Sequence, residues 1–245
     1  MTVYLLGAGP GDPDLLTVKA ARLLARAEVV LHDRLVPAEV LALAPAHAEL
    51  IDVGKQPGGS HVQEVINDLL VSLGRSGRTV VRLKGGDPFL FGRGGEEVDA
   101  LAAAGIDHVV VPGITSALAG PAAAGIPVTD RRDARSVTIV TGHEAVTSTP
   151  VAWEHLAALG GTIVLLMAVE RRAEIADRLL AGGLDPATPV AVVRDATLAT
   201  QHVLTGRLDA LGDLPARSPA VIVIGAVAAR ARATATLVAE LAGDG

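Results

Sequence analysis

The segment Val81-Arg82-Leu83-Lys84-Gly85-Gly86-Asp87-Pro88-Phe89-Leu90-Phe91-Gly92-Arg93-Gly94-Gly95 packs five glycines, three basic side chains, one carboxylate and both phenylalanines of the protein into fifteen residues. An apolar strand entering such a turn offers main-chain amides without shielding β-carbons, so a bulky ligand can lie against bare backbone. Three other strand ends carry comparable material: Gly7-Ala8-Gly9-Pro10-Gly11-Asp12, His32-Asp33-Arg34-Leu35-Val36 and Gly54-Lys55-Gln56-Pro57-Gly58-Gly59. In an open α/β sheet such ends border the ligand crevice, which puts the Asp33 carboxylate and the Lys55 ammonium on the same edge as the glycines. Taken singly, Asp33 reads more readily as the start of a turn before Pro37, and Lys55 as a solvated loop residue. Chance explains one such loop more easily than four.

Other chemistries fit less well. The Gly7 to Asp12 loop sits where a dinucleotide fingerprint would, with Asp33 as its ribose carboxylate, but the final glycine is replaced by Asp12 and Pro10 removes an amide. A tight turn followed by a capped helix is the plainer reading. Pro112-Gly113-Ile114-Thr115-Ser116-Ala117 and Thr141-Gly142-His143 are consistent with helix caps or with the small, hydroxylated wall of a site. The seven histidines show no ligand-pair spacing, so no metal is expected. Ser116 lacks a nucleophile elbow.

The elements that position these loops follow from apolar periodicity. Strands are expected at 2–7, 28–32, 48–53, 78–83 and 107–111, with a helix at 13–27 that Asp12 caps and Pro13 opens. Val62, Val65, Ile66, Leu69, Leu70 and Leu73 form the stripe of a second helix, which Ser60 and Gln63 would open as a capping box. This βα series implies a parallel sheet. After a small-residue helical stretch at 116–124 come strands at 136–140, 162–167, 189–194, 200–206 and 220–224, the third and fourth forming a hairpin in a mixed sheet. The reading is α/β with two domains, 1–112 and 113–245, divided at the Pro112-Gly113 turn. With 245 residues, a net charge of -6 and only four aromatic side chains, the chain lacks the footprint of a nucleic-acid binder. It has no cysteine, no membrane-length apolar run and no basic leader, which leads to an expectation of a cytoplasmic protein.

Together, the Gly-Pro-Gly-Asp start with Leu15-Leu16-Thr17, Asp33-Arg34-Leu35-Val36, Lys55, Gly85-Gly86-Asp87-Pro88, Pro112-Gly113-Ile114-Thr115 and Thr141-Gly142-His143 resemble the uroporphyrinogen-III C-methyltransferase family of the tetrapyrrole methylases. The resemblance runs on through Trp153, Met167 and Thr197. It implies the two-domain tetrapyrrole methylase fold, a homodimer, and S-adenosylmethionine (SAM) bound in the cleft between domains. The implied activity is methylation of uroporphyrinogen III at C2 and C7 to precorrin-2, feeding sirohaem and cobalamin synthesis, with S-adenosylhomocysteine as by-product. Carried over by position, cofactor contacts fall on Pro10, Gly85, Gly86, Asp87, Leu90, Thr115, Ser116, Met167 and Ala196. Asp33 matches the family's proton acceptor and Lys55 its proton donor. A partly desolvated Asp33 would gain basicity, and Arg34, Lys55, Arg82, Lys84, Arg93, Arg131 and Arg132 are candidates for meeting the substrate's carboxylates. The chain departs from the family pattern in a shorter loop after Lys55, in His202, and in Ala168 and Ala196, which replace family glycines. A methyl group at 196 is expected to crowd the cofactor or shift the backbone.

Overall fold

A computed structural model describes residues 2–54, 61–143 and 150–232. The chain divides into two compact units, Met1–Thr115 and Ser116–Gly245. The division falls after Thr115 rather than at the Pro112-Gly113 turn, because Gly113 packs tightly into the first unit, as described below.

In the first unit, strands β1 (Thr2–Gly7), β2 (Val29–His32), β3 (Glu49–Asp52), β4 (Val80–Lys84) and β5 (Asp107–Val111) form a sheet in the order β3-β2-β4-β1-β5. Every neighbouring pair is parallel, so all five carboxyl ends lie along one edge. Successive side chains alternate between faces. Leu6, Val30, Val81 and Leu83 pack under α1 (Val18–Leu24) and α2 (Ala38–Leu41). Val3, Leu5, Val29, Leu31 and Val80 pack under α3 (His61–Gly74) and α4 (Gly94–Ala103). The neighbours β1 and β4 therefore send their outgoing chains to opposite faces of the sheet. Their ends flank a topological switch point, where open α/β sheets form a crevice.

The helix expected at 13–27 is broken. Asp12 does act as a cap, its Oδ1 accepting from the Asp14 amide at 2.9 Å, but only on the 3-10 turn Pro13–Leu15. Leu16 is extended, and Thr17 starts α1 afresh by accepting from the Ala20 amide at 3.1 Å. A side-chain acceptor three residues before a free amide is the stronger local signal, and here it outweighs the continuous apolar stripe. In α3, the Gln63 amide nitrogen donates to Asn67 and to Glu97, while Ser60, the other half of the expected capping box, lies outside the described residues.

In the second unit, α5 (Ser116–Ala123) precedes a mixed sheet of β6 (Val137–Thr141), β7 (Thr162–Leu166), β8 (Pro189–Arg194), β9 (His202–Arg207) and β10 (Ala220–Ile224), ordered β6-β7-β10-β8-β9. Only β6 and β7 pair in parallel, and β8 with β9 form the expected hairpin. One face packs on α6 (Trp153–Leu159) and α7 (Arg172–Ala181), with Trp153 fully buried among Leu165, Ile175, Leu179 and Ile222. Alternate residues Ala191, Val193 and Val223 pack on the other face with Ala124, Ile126 and Val227. β9 starts at His202 because Gln201 is committed to the preceding turn. Its side chain accepts from the Thr197 amide at 2.9 Å and donates to the Ala123 carbonyl at 3.2 Å.

Candidate active site

The loops that leave β1 and β4 are zipped together beyond their strands. The Ala8 amide donates to the Lys84 carbonyl at 2.7 Å, and Gly9 and Gly86 exchange hydrogen bonds of 3.2 and 2.8 Å. The Gly86 amide is thus not bare, contrary to the expectation from composition. Glycine is needed here because three main chains meet. A β-carbon on Gly7 would sit 2.4 Å from the Gly113 α-carbon, and one on Gly113 would sit 2.1 Å from the Gly86 oxygen. Asp87 completes the junction, its Oδ1 accepting from the Phe89 amide at 2.9 Å and its Oδ2 from the Gly113 amide at 3.0 Å.

Gly85 is different. It is exposed, no atom of the described residues beyond its two chain neighbours lies within 4 Å of where its β-carbon would stand, and its φ is not in the left-handed region. Nothing within the unit requires a glycine at that position. An open stretch of main chain at a switch point, with no internal reason to be open, fits a ligand that would collide with a side chain. The loop that follows exposes both Phe89 and Phe91 and holds Phe91 and Arg93 in left-handed conformations that non-glycine residues rarely adopt. Arg93 makes a two-pronged pair with Glu96, both bonds at 2.6 Å.

Asp33 sits one residue beyond β2 and starts a turn, the Val36 amide donating to its carbonyl at 3.1 Å. Its carboxylate is partly desolvated, with the side chain 34% exposed, and accepts from an Arg82 terminal nitrogen at 2.5 Å. Arg82 and Lys84 are themselves buried, at 2% exposure, rather than turned toward a substrate. Occupying alternate positions on β4, they reach the same oxygen of Glu97, each at 3.0 Å, and Glu97 has no exposed surface. Burial, reinforced by the Arg82 charge, pushes the Lys84 ammonium below its ordinary range, against the pull of Glu97. Arg132 is spent on Asp130, whereas Arg34 and Arg131 are exposed and make no ion pair among the described residues. Lys55 lies outside the described residues.

In the second unit, Met167 follows β7 in a left-handed conformation with its side chain 54% exposed. The next residue, Ala168, is fully buried and its Cα and Cβ fill the space where a Gly142 side chain would go. Ala196 stands between two further left-handed residues, Asp195 and Thr197. Its methyl group belongs to the buried cluster of Ala191, Val193 and Val223, next to Gly120 of α5. The methyl groups of both alanines that replace the family glycines therefore lie buried inside the unit. His143 donates its amide to Thr141 Oγ1 at 3.1 Å, forming a local turn at the end of β6.

Residues 2–212 match the model of the tetrapyrrole (corrin/porphyrin) methylases. The chain belongs to that family. This methylase is 50% identical over 233 residues to the S-adenosyl-L-methionine-dependent uroporphyrinogen III methyltransferase of Methanosarcina barkeri, covering 92% of this chain and 91% of the relative. It is 49% identical over 230 residues to siroheme synthase 2 of Aeromonas hydrophila, covering 93% of its own length but only 49% of that protein. Among solved structures, the uroporphyrin-III C-methyltransferase of Thermus thermophilus complexed with S-adenosylhomocysteine superposes with a TM-score of 0.82 at 43% identity, covering 93% of each chain. A cobalt-precorrin-4 methyltransferase gives 0.81 at 32%, covering 93% of this chain and 95% of its own. The parallel and mixed sheets of this methylase are those the sequence pattern and the resemblance implied.

Sequence reasoning missed three features of the methylase. Glu97 was overlooked although it shares the buried stripe of α4 with Gly94 and Leu101, opposite two basic positions on β4; a carboxylate on a core stripe facing buried cations was the available signal. Gln201 carried no signal beyond its polarity, and the Arg93–Glu96 pair was legible only as i,i+3 spacing on a helix start.

Proposed function

We propose that this methylase transfers methyl groups from SAM to C2 and C7 of uroporphyrinogen III, giving precorrin-2 and S-adenosylhomocysteine. The observation that carries the reading is Gly85, an exposed glycine at the β1/β4 switch point that the fold itself does not need. Half-identity over most of both chains to a uroporphyrinogen III methyltransferase supports the choice of substrate. We assign donor contacts to Pro10, Gly85, Gly86, Asp87, Leu90 and Thr115 in the first unit and to Ser116, Met167 and Ala196 in the second. Gly86 contributes through close approach to its α-carbon, since its amide and its carbonyl are both paired with Gly9, and Ala196 through its main chain, since its methyl is buried.

When bound, SAM supplies a methyl group already activated by the sulfonium charge, so the protein's tasks are alignment and proton handling. Gly85 leaves room for close approach, and Asp87 holds the Gly113 amide, which fixes the chain leading to Thr115. Asp33, held by Arg82 with part of its carboxylate open to solvent, accepts the proton that the macrocycle loses from another position once the attacked ring carbon has taken the methyl group and become quaternary. Lys55 acts as the proton donor. Arg34 and Arg131, both exposed and uncommitted among the described residues, meet substrate carboxylates. The enzyme acts as a homodimer in the cytoplasm, which light scattering on purified protein and cell fractionation test. Anaerobic incubation with SAM and uroporphyrinogen III is expected to yield the dimethylated macrocycle by mass spectrometry. Unmodified substrate, with turnover of a later corrin intermediate instead, would overturn the substrate assignment.

A further inference from the structure

We infer that Glu97 is a positioning residue for methyl transfer, acting on Asp33 through Arg82. The inference rests on the proton-acceptor role proposed above for Asp33. The guanidinium of Arg82 is tied down at all three nitrogens. Nε donates to Glu97 Oε1 at 3.0 Å, one terminal nitrogen to the Leu83 carbonyl at 3.2 Å, and the other to Asp33 Oδ1 at 2.5 Å. A planar fork anchored at two corners has no freedom left to rotate the third, so the Glu97 anchor sets where the Asp33 carboxylate can sit.

Glu97 is itself over-determined. Its Oε1 accepts from Arg82, from Lys84 Nζ at 3.0 Å and from Gln63 Nε2 at 3.4 Å, which joins β4, α3 and α4 at one atom. Its Oε2 is buried without a hydrogen-bond partner among the described residues. Stability alone gives a poor account of this cluster, because two buried cations and a half-satisfied buried carboxylate are commonly no better than well-packed apolar residues. A rigid connection from the core to one partly exposed carboxylate at the sheet edge gives the expense a purpose. Lys84 pairs with Glu97 beside Arg82 and makes no ion pair with Asp33 among the described residues.

The test is a double-mutant cycle on the full chain with SAM and uroporphyrinogen III, using Glu97→Gln, which keeps the shape and removes the charge. Glu97→Gln is expected to lower kcat by ~10-fold or more, as loss of alignment does, with the KM for SAM within about twofold. In an Asp33→Asn background the same change is expected to cost less than about twofold, since the group it positions has gone. Arg82→Lys, which keeps the charge but cannot span both carboxylates, is expected to reproduce that pattern and serves where Glu97→Gln yields little folded protein. Multiplicative losses in the double variants, or a rise in the KM for SAM equal to the fall in kcat, would overturn the inference and leave a purely structural cluster. A parent enzyme that leaves uroporphyrinogen III unmodified would instead fail the functional reading, and an Asp33→Asn variant with full kcat would remove the proton-acceptor role and this inference together.

Discussion

Replacing Gly113 by alanine separates the structural glycines of the edge from the functional one. The new methyl would stand 2.1 Å from the Gly86 oxygen, 2.7 Å from the Gly7 α-carbon and 2.9 Å from the Gly7 carbonyl carbon. All three obstacles are main chain, in strands or loops zipped by hydrogen bonds, so no side chain can rotate away. Restoring ordinary contact requires a retreat of roughly 1 Å, at an overpacking cost of about 1–3 kcal/mol. That movement also withdraws the Gly113 amide from Asp87, a charged hydrogen bond of 3.0 Å worth about 1.5–3 kcal/mol. We expect a loss of about 3–5 kcal/mol, a large share of a typical domain's stability, seen in urea denaturation and in hydrogen exchange of the β1, β4 and β5 amides. Gly85→Ala is the contrast: its methyl meets nothing within 4 Å, so stability should stay within about 0.5 kcal/mol. SAM affinity, measured by calorimetry, should nonetheless fall at least tenfold. If Gly113→Ala is as stable as the parent, or Gly85→Ala binds SAM normally, the division of labour among these glycines is wrong.

Asp33→Asn should slow turnover far more than it weakens SAM binding; equal losses would show that Asp33 holds the donor and does not handle the proton. Ala196→Gly should leave SAM affinity within about threefold, because the deleted methyl faces the core, while costing about 0.5–1 kcal/mol of stability through backbone entropy; a large gain in affinity would mean the methyl crowds the donor. Lys84 gives a pH signature. Burial lowers its folded pKa below the unfolded 10.5, so between those values the unfolded chain binds the extra proton and stability rises with pH. The rise should be present in the parent and absent in Lys84→Met when urea denaturation is compared at neutral and at alkaline pH up to 10.5; parallel curves would show that Lys84 is not desolvated.

The parallel sheet and its loaded edge were legible because short apolar strands alternated with helix-period stripes, and because glycines and prolines punctuated the strand ends. Charge was read less well. Arg82 and Lys84 looked like substrate contacts since strand residues beside a glycine loop face outward as often as inward, and only the buried Glu97 on the opposing helix decides between them. The glycines of the edge were read as one class. Close main-chain packing of Gly7, Gly86 and Gly113 is a property of the fold that sequence spacing does not encode, whereas the openness at Gly85 emerges only once its neighbours are known to be distant. The break at Leu16 was hidden by an apolar stripe that continues across it, with Leu16 and Leu23 both packed on the same core.

The central claim, that exposed main chain at the end of β4 receives the methyl donor, is tested most directly by a crystal structure of this methylase with S-adenosylhomocysteine bound. We expect the ligand against the main chain of Gly85 and beside Asp87, with Pro10 and Thr115 in contact. A ligand seated elsewhere, for example in the hollow lined by Arg194, His202 and Arg217, with Gly85 left in solvent, would contradict the account.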